Sequence, residues 1–384
     1  MKILNVLSSW GPEFGGPFIN TLNLAANLIN RGHYVKIIAA SKYNSTSKIS
    51  CQWQLGKEKL SIPIKLCRCY EYSFCFSSEF IKEFQATVRE FDLVFIHGLW
   101  RFPTSFSAYC CRKLGIPYII FTHAMLSAWS MRQNSFKKWI YLKLIEKENL
   151  DKAKAVLVMD QQEKDYAANL GIKSPKKIFF NALNKEDIIS AKKLRDIKKQ
   201  TSKENINILY LGRIHPKKGL FFAVQALKEL VKIYPDIIFT AAGPVEDQGY
   251  FRKVKNYISK NNLKKNIKFK GLVTNFEKED IYSNSDIFLL PSYDDSRPLA
   301  LLEAMSYGIP VATTKECKLE EIDNKMGYIV GQNSDSISDA LIKLTKDKDK
   351  ANQMGRAGHK FVLDNFIWNK RILELERIIK NYVP

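Results

Sequence analysis

No apolar run in this chain of 384 residues approaches the roughly 18 needed to cross a bilayer. The start, "MKILNVLSSWGPEFGG", has too short an apolar part for a signal peptide and no small-residue cleavage site, so it reads as a first strand. Acidic residues are scarce: 39 Asp and Glu face 60 Lys and Arg, a formal charge of +21. No finger spacing, RNP-like stretch or basic heptad arm accompanies that excess, which argues against nucleic acid as a partner. Residues 1–183 carry 25 Lys and Arg against 13 Asp and Glu, so the excess is spread over both halves. A Lys-rich composition, an anionic ligand or an anionic membrane surface each accounts for it. Zinc pairing is absent too. Neither Cys67 with Cys69 nor Cys110 with Cys111 has a second half at ligand spacing. An odd count of seven without a secretion signal points to reduced thiols in a cytoplasm. Gly-x-Gly-x-x-Gly and Gly-Lys-Ser/Thr are both missing, so the dinucleotide fingerprint and the Walker loop fail.

What is present is an alternation of short apolar runs with longer amphipathic ones. "KILNVLSS" predicts a strand, "PFINTLNLAANLINRG" a helix closed by Gly32, and "YVKIIAAS" the next strand. A less regular stretch precedes "FDLVFIHG" and "PYIIFTHA". A long basic helix is expected over about 135–152, then strands at "KAVLVMD" and "KIFFNAL". Residues 184–205 are charge-rich without a core strand pattern, and the domain junction is placed at their start. The series then resumes with "NILYLGR", "IIFTAAG", "IKFKG" and "SDIFLLPS". This order predicts two α/β domains, each a doubly wound parallel sheet, over 1–183 and 184–365. A final amphipathic helix, 366–384, is expected to pack back on the first. Ligands of such sheets bind beyond the carboxyl ends of the strands, so the site is expected in a cleft between the domains.

Several strand ends carry candidate chemistry. In "YLGRIHPKKG", Arg213 and Lys218 follow a strand and precede a helix. A diphosphate suits that pair, and so does plain solvation. Gly243 ends the next strand, where a ligand or a sharp loop would both want glycine. Gly15 and Gly16 precede Pro17 at a helix start, where amides could meet phosphate or sugar oxygens. His123 follows a buried strand, and His97 ends its neighbour. In "PSYDDSRPLALLEAMSYGIPV", a helix former sits between Pro298 and Gly308, with Asp294 and Asp295 at its mouth and Glu303 one turn in.

Together these pieces, in this order, resemble glycosyltransferase family 4, retaining enzymes of the GT-B architecture. The matching elements are Gly15-Gly16, His123, Gly212-Arg213 with Lys218-Gly219, and Asp295 through Val311, with Phe366 and Trp368 resembling the family's Phe-x-Trp. The resemblance implies a nucleotide diphosphate sugar as donor, a UDP-sugar in particular, a glycan or lipid-linked glycan as acceptor, and no metal. It implies that Asp295 touches the donor sugar, that Glu303 accepts from the ribose hydroxyls, and that His123 acts at the reacting centre. Gly15, Gly16, Arg213, Lys218, Gly243, Leu272, Leu299 and Ala300 complete the expected donor-binding set. Asp295 stands where the family has Glu, and Ser296-Arg297 where it has Gly-Phe. These departures raise an alternative, a non-catalytic nucleotide-sugar-binding partner of an active transferase. The aromatic and lysine residues between Trp129 and Leu144 suggest weak contact with an anionic membrane, for a cytoplasmic protein peripheral at the inner face.

Overall fold

A computed structural model describes the chain except residues 12–13, 42–47, 56–57, 71–73, 202–204, 274 and 384. The chain divides into two compact units, Met1–Asn181 with Trp368–Pro384, and Ala182–Ile367.

Among the described residues the first unit holds eight strands: β1 (Lys2–Leu7), β2 (Tyr34–Ser41), β3 (Lys48–Leu55), β4 (Glu58–Arg68), β5 (Leu93–His97), β6 (Tyr118–Phe121), β7 (Ala155–Val158) and β8 (Lys176–Ile178). Their spatial order is β3-β4-β2-β1-β5-β6-β7-β8. All neighbours are parallel except β3 and β4, an antiparallel pair at one edge. β5, β6 and β7 are buried along their whole length, the pattern of strands covered by helices on both faces. The chain direction of strand order reverses at β1, between β2 and β5, and ligands of doubly wound sheets sit at such a switch.

The second unit repeats the plan with β9 (Asn207–Leu211), β10 (Ile238–Ala242), β11 (Ile267–Gly271), β12 (Ile287–Leu290), β13 (Val311–Thr313) and β14 (Gly327–Ile329). All are parallel, in the order β11-β10-β9-β12-β13-β14, with the switch between β9 and β12. The residues read as a charge-rich junction form a helix, Lys185–Thr201.

Other differences have local causes. The stretch read as irregular contains the β3–β4 pair, whose alternation "KLSIPIKLCR" is interrupted by Pro63, opposite Ser50. The basic helix is not uniform: Ser135–Tyr141 and Lys147–Asp151 flank a π-helical turn, Leu142–Glu146. β8 ends at Ile178, and the last ladder hydrogen bond runs from Phe179 N–H to Val158 O at 2.7 Å. The chain returns to the first unit at Trp368, two residues later than expected. Phe366 and Ile367 still pair with Leu183, by a 2.8 Å hydrogen bond and a parallel bridge. Trp368 is then fully buried near Phe179. Its helix, Trp368–Tyr382, is tied to the helix Gly16–Asn30 by a bidentate pair of Glu376 with Arg31.

Candidate active site

In the first unit the loops after β1, β5 and β6 come together. Gly15 caps the helix Gly16–Asn30 at φ 63°, a backbone that favours glycine, and Pro17 follows in the first turn. The Gly16 N–H has no acceptor among the described residues.

His97 ends β5 with its side chain in the core. Its Nε2 lies 2.8 Å from Asn5 Oδ1 on β1, and its Nδ1 lies 3.2 Å from His123 Nε2. The His97 ring stacks on Phe121 at 4.6 Å. Burial, and then the neighbouring His123, push the His97 imidazole well below its ordinary value. Burial likewise holds His123 down at about 4, although the residue keeps part of its surface exposed. Both rings are therefore neutral near pH 7.

His123 and Ala124 are left-handed, at φ 49° and 62°. Two successive non-glycine residues there store strain, which survives only where the surroundings impose it. The surroundings are explicit. Thr122 donates its N–H to Leu157 O at 2.9 Å, and Met125 N–H closes a turn onto Thr122 O. Buried Glu163 accepts from Leu126 N at 3.0 Å and from Met159 N at 2.8 Å. Burial pushes the Glu163 carboxyl up to about 7, against the opposing effect of those hydrogen bonds. A second buried acid, Glu146 in the π-turn, accepts from Trp100 N at 3.2 Å and from Ser105 Oγ at 2.6 Å. Two buried carboxylates thus hold the loops that follow His97 and His123.

In the second unit the ends of β9, β10 and β12 meet. Gly212 donates to Ala242 O, and a Cβ on Gly243 would lie 2.1 Å from Gly212 O. At Gly219, φ is 72° and a Cβ would lie 2.0 Å from Pro291 O. Both positions therefore exclude any side chain. The close approach at Gly219 seats a 3-10 turn, Pro216–Lys218, against the loop after β12. That loop is bonded in place: Tyr293 N donates to Lys217 O at 2.7 Å, and Thr314 Oγ1 donates to Ser292 O. Lys218 then pairs with Asp295, and Lys217 with Asp294 at 2.9 Å. Pro298 is the residue that caps the next helix, Leu299–Ser306. Pro298 O receives the N–H groups of Leu301 and Leu302, so among the described residues no acceptor meets the amides of Leu299 and Ala300. Glu303 receives Lys278 Nζ at 2.7 Å and the Tyr282 hydroxyl at 2.8 Å. Arg213 makes two 2.8 Å hydrogen bonds to Glu246 and is exposed beside it. Leu272 lies on the surface just beyond β11, half exposed.

The structure therefore brings Lys218, Asp295, Leu299 and Ala300 to one place, with Glu303 a turn further along. Gly15, Gly16 and His123 belong to the other unit. Sequence reasoning missed Asn5, Glu163, Glu146, Glu246, Lys278 and Tyr282. Asn5 carried a signal, a single amide inside the apolar strand "KILNVL". The others are residue types common on helix surfaces and in loops, and the partners that place them mostly lie far along the chain. Among the described residues no three His, Cys, Asp or Glu converge as a metal-ligand set, no disulfide joins the cysteines, and no helix is long and apolar enough to cross a membrane.

Comparison with known proteins agrees with this architecture. Residues 15–179 match the glycosyl transferase 4-like domain, and residues 191–361 match glycosyl transferases group 1. The UDP-Gal:alpha-D-GlcNAc-diphosphoundecaprenol alpha-1,3-galactosyltransferase of Escherichia coli is 28% identical over 257 residues. That match spans 62% of this chain and 62% of the relative's length. Sucrose-phosphate synthase from Thermosynechococcus elongatus superposes with a TM-score of 0.77 at 17% identity, over 99% of this chain and 98% of that one. HepE of Anabaena, solved with UDP and glucose, gives 0.76 at 16% identity, over 99% and 100%. Both are GT-B folds, and so is this chain.

Proposed function

The chain belongs to the glycosyltransferases of group 1 with a 4-like first domain, and from that membership we propose that it moves a hexose from a UDP-sugar to a hydroxyl of a growing glycan, with retention of configuration, in bacterial surface polysaccharide synthesis. The observation that carries this reading is the Lys218–Asp295 pair beside the unpaired amides of Leu299 and Ala300. A donor diphosphate is dianionic, and its departure concentrates charge on the β-phosphate. Lys218 supplies a point charge there, the two amides supply oriented dipoles at a helix start, and Arg213 adds a planar fork. No metal is needed for that task. Asp295, held by Lys218, has lone pairs left to accept from sugar hydroxyls. Glu303 is fixed on both oxygens by Lys278 and Tyr282 and retains capacity for two vicinal ribose hydroxyls. His123 meets the sugar as a neutral imidazole. The acceptor hydroxyl attacks on the face the diphosphate leaves, and the leaving phosphate takes its proton, so no protein nucleophile is required. A UDP donor is supported by the name of the E. coli relative and by the ligands of HepE.

The same relative acts on a diphosphoundecaprenol-linked sugar by its name, and a lipid-linked acceptor fits one face of the first unit. Phe136, Trp139 and Leu144 are 73%, 52% and 77% exposed, with Lys143 4.0 Å from the Trp139 ring centre. Exposed aromatics with basic neighbours suit the headgroup layer of an anionic membrane. Leu142 belongs instead to the core, and Lys138 turns inward to Ser130 O.

The test is release of UDP and appearance of product when the protein is given UDP-, GDP- and ADP-sugars, alone and with lipid-linked glycan acceptors. Turnover with a UDP-sugar supports the reading. Binding of UDP-sugars without turnover on any acceptor would favour the non-catalytic partner that the Asp295-Ser296-Arg297 departure suggests.

A further inference from the structure

Three polar groups from three neighbouring strands form a line through the core of the first unit: Asn5 in β1, His97 at the end of β5 and His123 just beyond β6. Asn5 and His97 are 0% and 4% exposed. The contacts are 2.8 Å and 3.2 Å. An amide side chain is rare at the centre of a parallel strand, and leaving it unpaired costs about 1–3 kcal/mol. Only half of that amide is used here: Oδ1 meets His97 at 2.8 Å, and Nδ2 is buried with no partner among the described residues.

Each atom's role follows from the one before. In the orientation given to the Asn5 amide, Oδ1 faces His97 and can only accept, so His97 Nε2 carries the proton. His97 is neutral, so its Nδ1 is bare and can only accept. His123 Nε2 faces that nitrogen and must carry its own proton. His123 is neutral too, so its Nδ1 is the lone pair that remains. No partner meets that nitrogen among the described residues. Among the described residues no other titratable group breaks the line: a ring face of His97 meets Phe121, and its Nδ1 edge meets His123.

We propose that Asn5 and His97 are positioning residues that fix the ring plane and tautomer of His123, so that His123 presents Nδ1 as a neutral hydrogen-bond acceptor to a substrate hydroxyl. This rests on the proposed transfer reaction for the identity of the substrate, but the relay itself is a property of the folded chain. The strained backbone at His123 and Ala124 fits the same purpose, since Glu163 and the Thr122–Met125 turn fix the main chain while His97 fixes the ring.

The parent protein and three variants test it. His97→Phe keeps the stack on Phe121 and removes the relay. Asn5→Leu removes the terminal acceptor at similar volume. Asn5→Asp keeps an acceptor. The protein has five histidines, so long-range proton–nitrogen spectra of the 15N-histidine-labelled chain resolve each ring. At pH 7 the parent should show His97 and His123 both as the Nε2–H tautomer. His97→Phe should lower kcat about tenfold or more, as loss of an outer-shell partner does, with UDP affinity unchanged. Asn5→Leu should lower kcat in the same direction, and Asn5→Asp should recover most of it. A parent spectrum with His97 protonated on Nδ1 would overturn the relay, whether or not the protein transfers sugar. A His97→Phe enzyme with kcat within twofold of the parent would overturn it as well. If no sugar is transferred but the tautomers are as stated, the relay stands and the transfer reading fails.

Discussion

Glu163→Gln should make the first unit relatively more stable as pH rises. The Glu163 carboxyl sits in the core, two amide N–H groups donate to it, and burial still carries it from 4.5 to about 7. Asp160 adds a smaller push in the same direction. A carboxyl whose folded value is raised binds more protons in the folded state than in the unfolded one. Its contribution is therefore complete below pH 4.5 and is lost as pH rises through 7. The whole span is about 3 kcal/mol at 1.36 kcal/mol per unit, and about 2.5 kcal/mol of it falls between pH 5 and pH 8. An amide cannot ionise. It will accept from Met159 or Leu126 less well than a carboxylate does, but that penalty is the same at both pH values. His97 and His123, whose values are lowered, act oppositely, since their contribution is lost as pH falls below the ordinary histidine range. They are present in both proteins and cancel in the difference. All six tryptophans lie in the first unit, so urea unfolding followed by tryptophan fluorescence reads this unit alone. The difference in unfolding free energy, variant minus parent, should move by about 2.5 kcal/mol in the variant's favour from pH 5 to pH 8. A difference constant to within about 0.5 kcal/mol, a fifth of that, or a shift towards the parent, would refute the claim that burial dominates at Glu163.

Lys218→Ala should lower kcat/KM by about 2–4 kcal/mol in transition-state stabilisation. Because it leaves Asp295 without its cation, the double variant with Asp295→Asn should lose less than the two single losses combined. A Lys218→Ala enzyme within a few-fold of the parent would remove Lys218 from the donor site. Gly219→Ala must move Pro291 or the Pro216–Lys218 turn, since the new carbon would lie 2.0 Å from Pro291 O. We expect a calorimetric loss of about 2 kcal/mol or more in the second unit and a matching loss of UDP affinity, and an unchanged melting curve would contradict the packing described. Sedimentation with vesicles should carry the protein down only with anionic lipid, less at high salt, and less after Lys137→Glu with Lys143→Glu. Protein that stays in the supernatant throughout would leave the positive charge as composition.

The local sequence determined most of the elements. Apolar runs of strand length gave β1, β5, β6, β9 and β12, and "PLALLEAMSYG" gave a helix with its start and stop, because periodicity and turn chemistry act within a window of a few residues. The order of motifs also gave the family. Pairing was decided elsewhere. Lys218 and Asp295 are 77 residues apart, and they meet because β9 and β12 are neighbours at the switch of the second sheet. Asn5 and His97, 92 apart, meet because β1 lies against β5, and His97 reaches His123 because β5 lies against β6. The same holds for the edge pair β3–β4 and for Trp368, which closes on a unit that the chain left at Asn181. A strand's own residues specify that it is buried on both faces but not which strand lies beside it. That choice belongs to the crossovers and to the packing of the whole sheet, and the charges that act together are those the strand order happens to bring to one end.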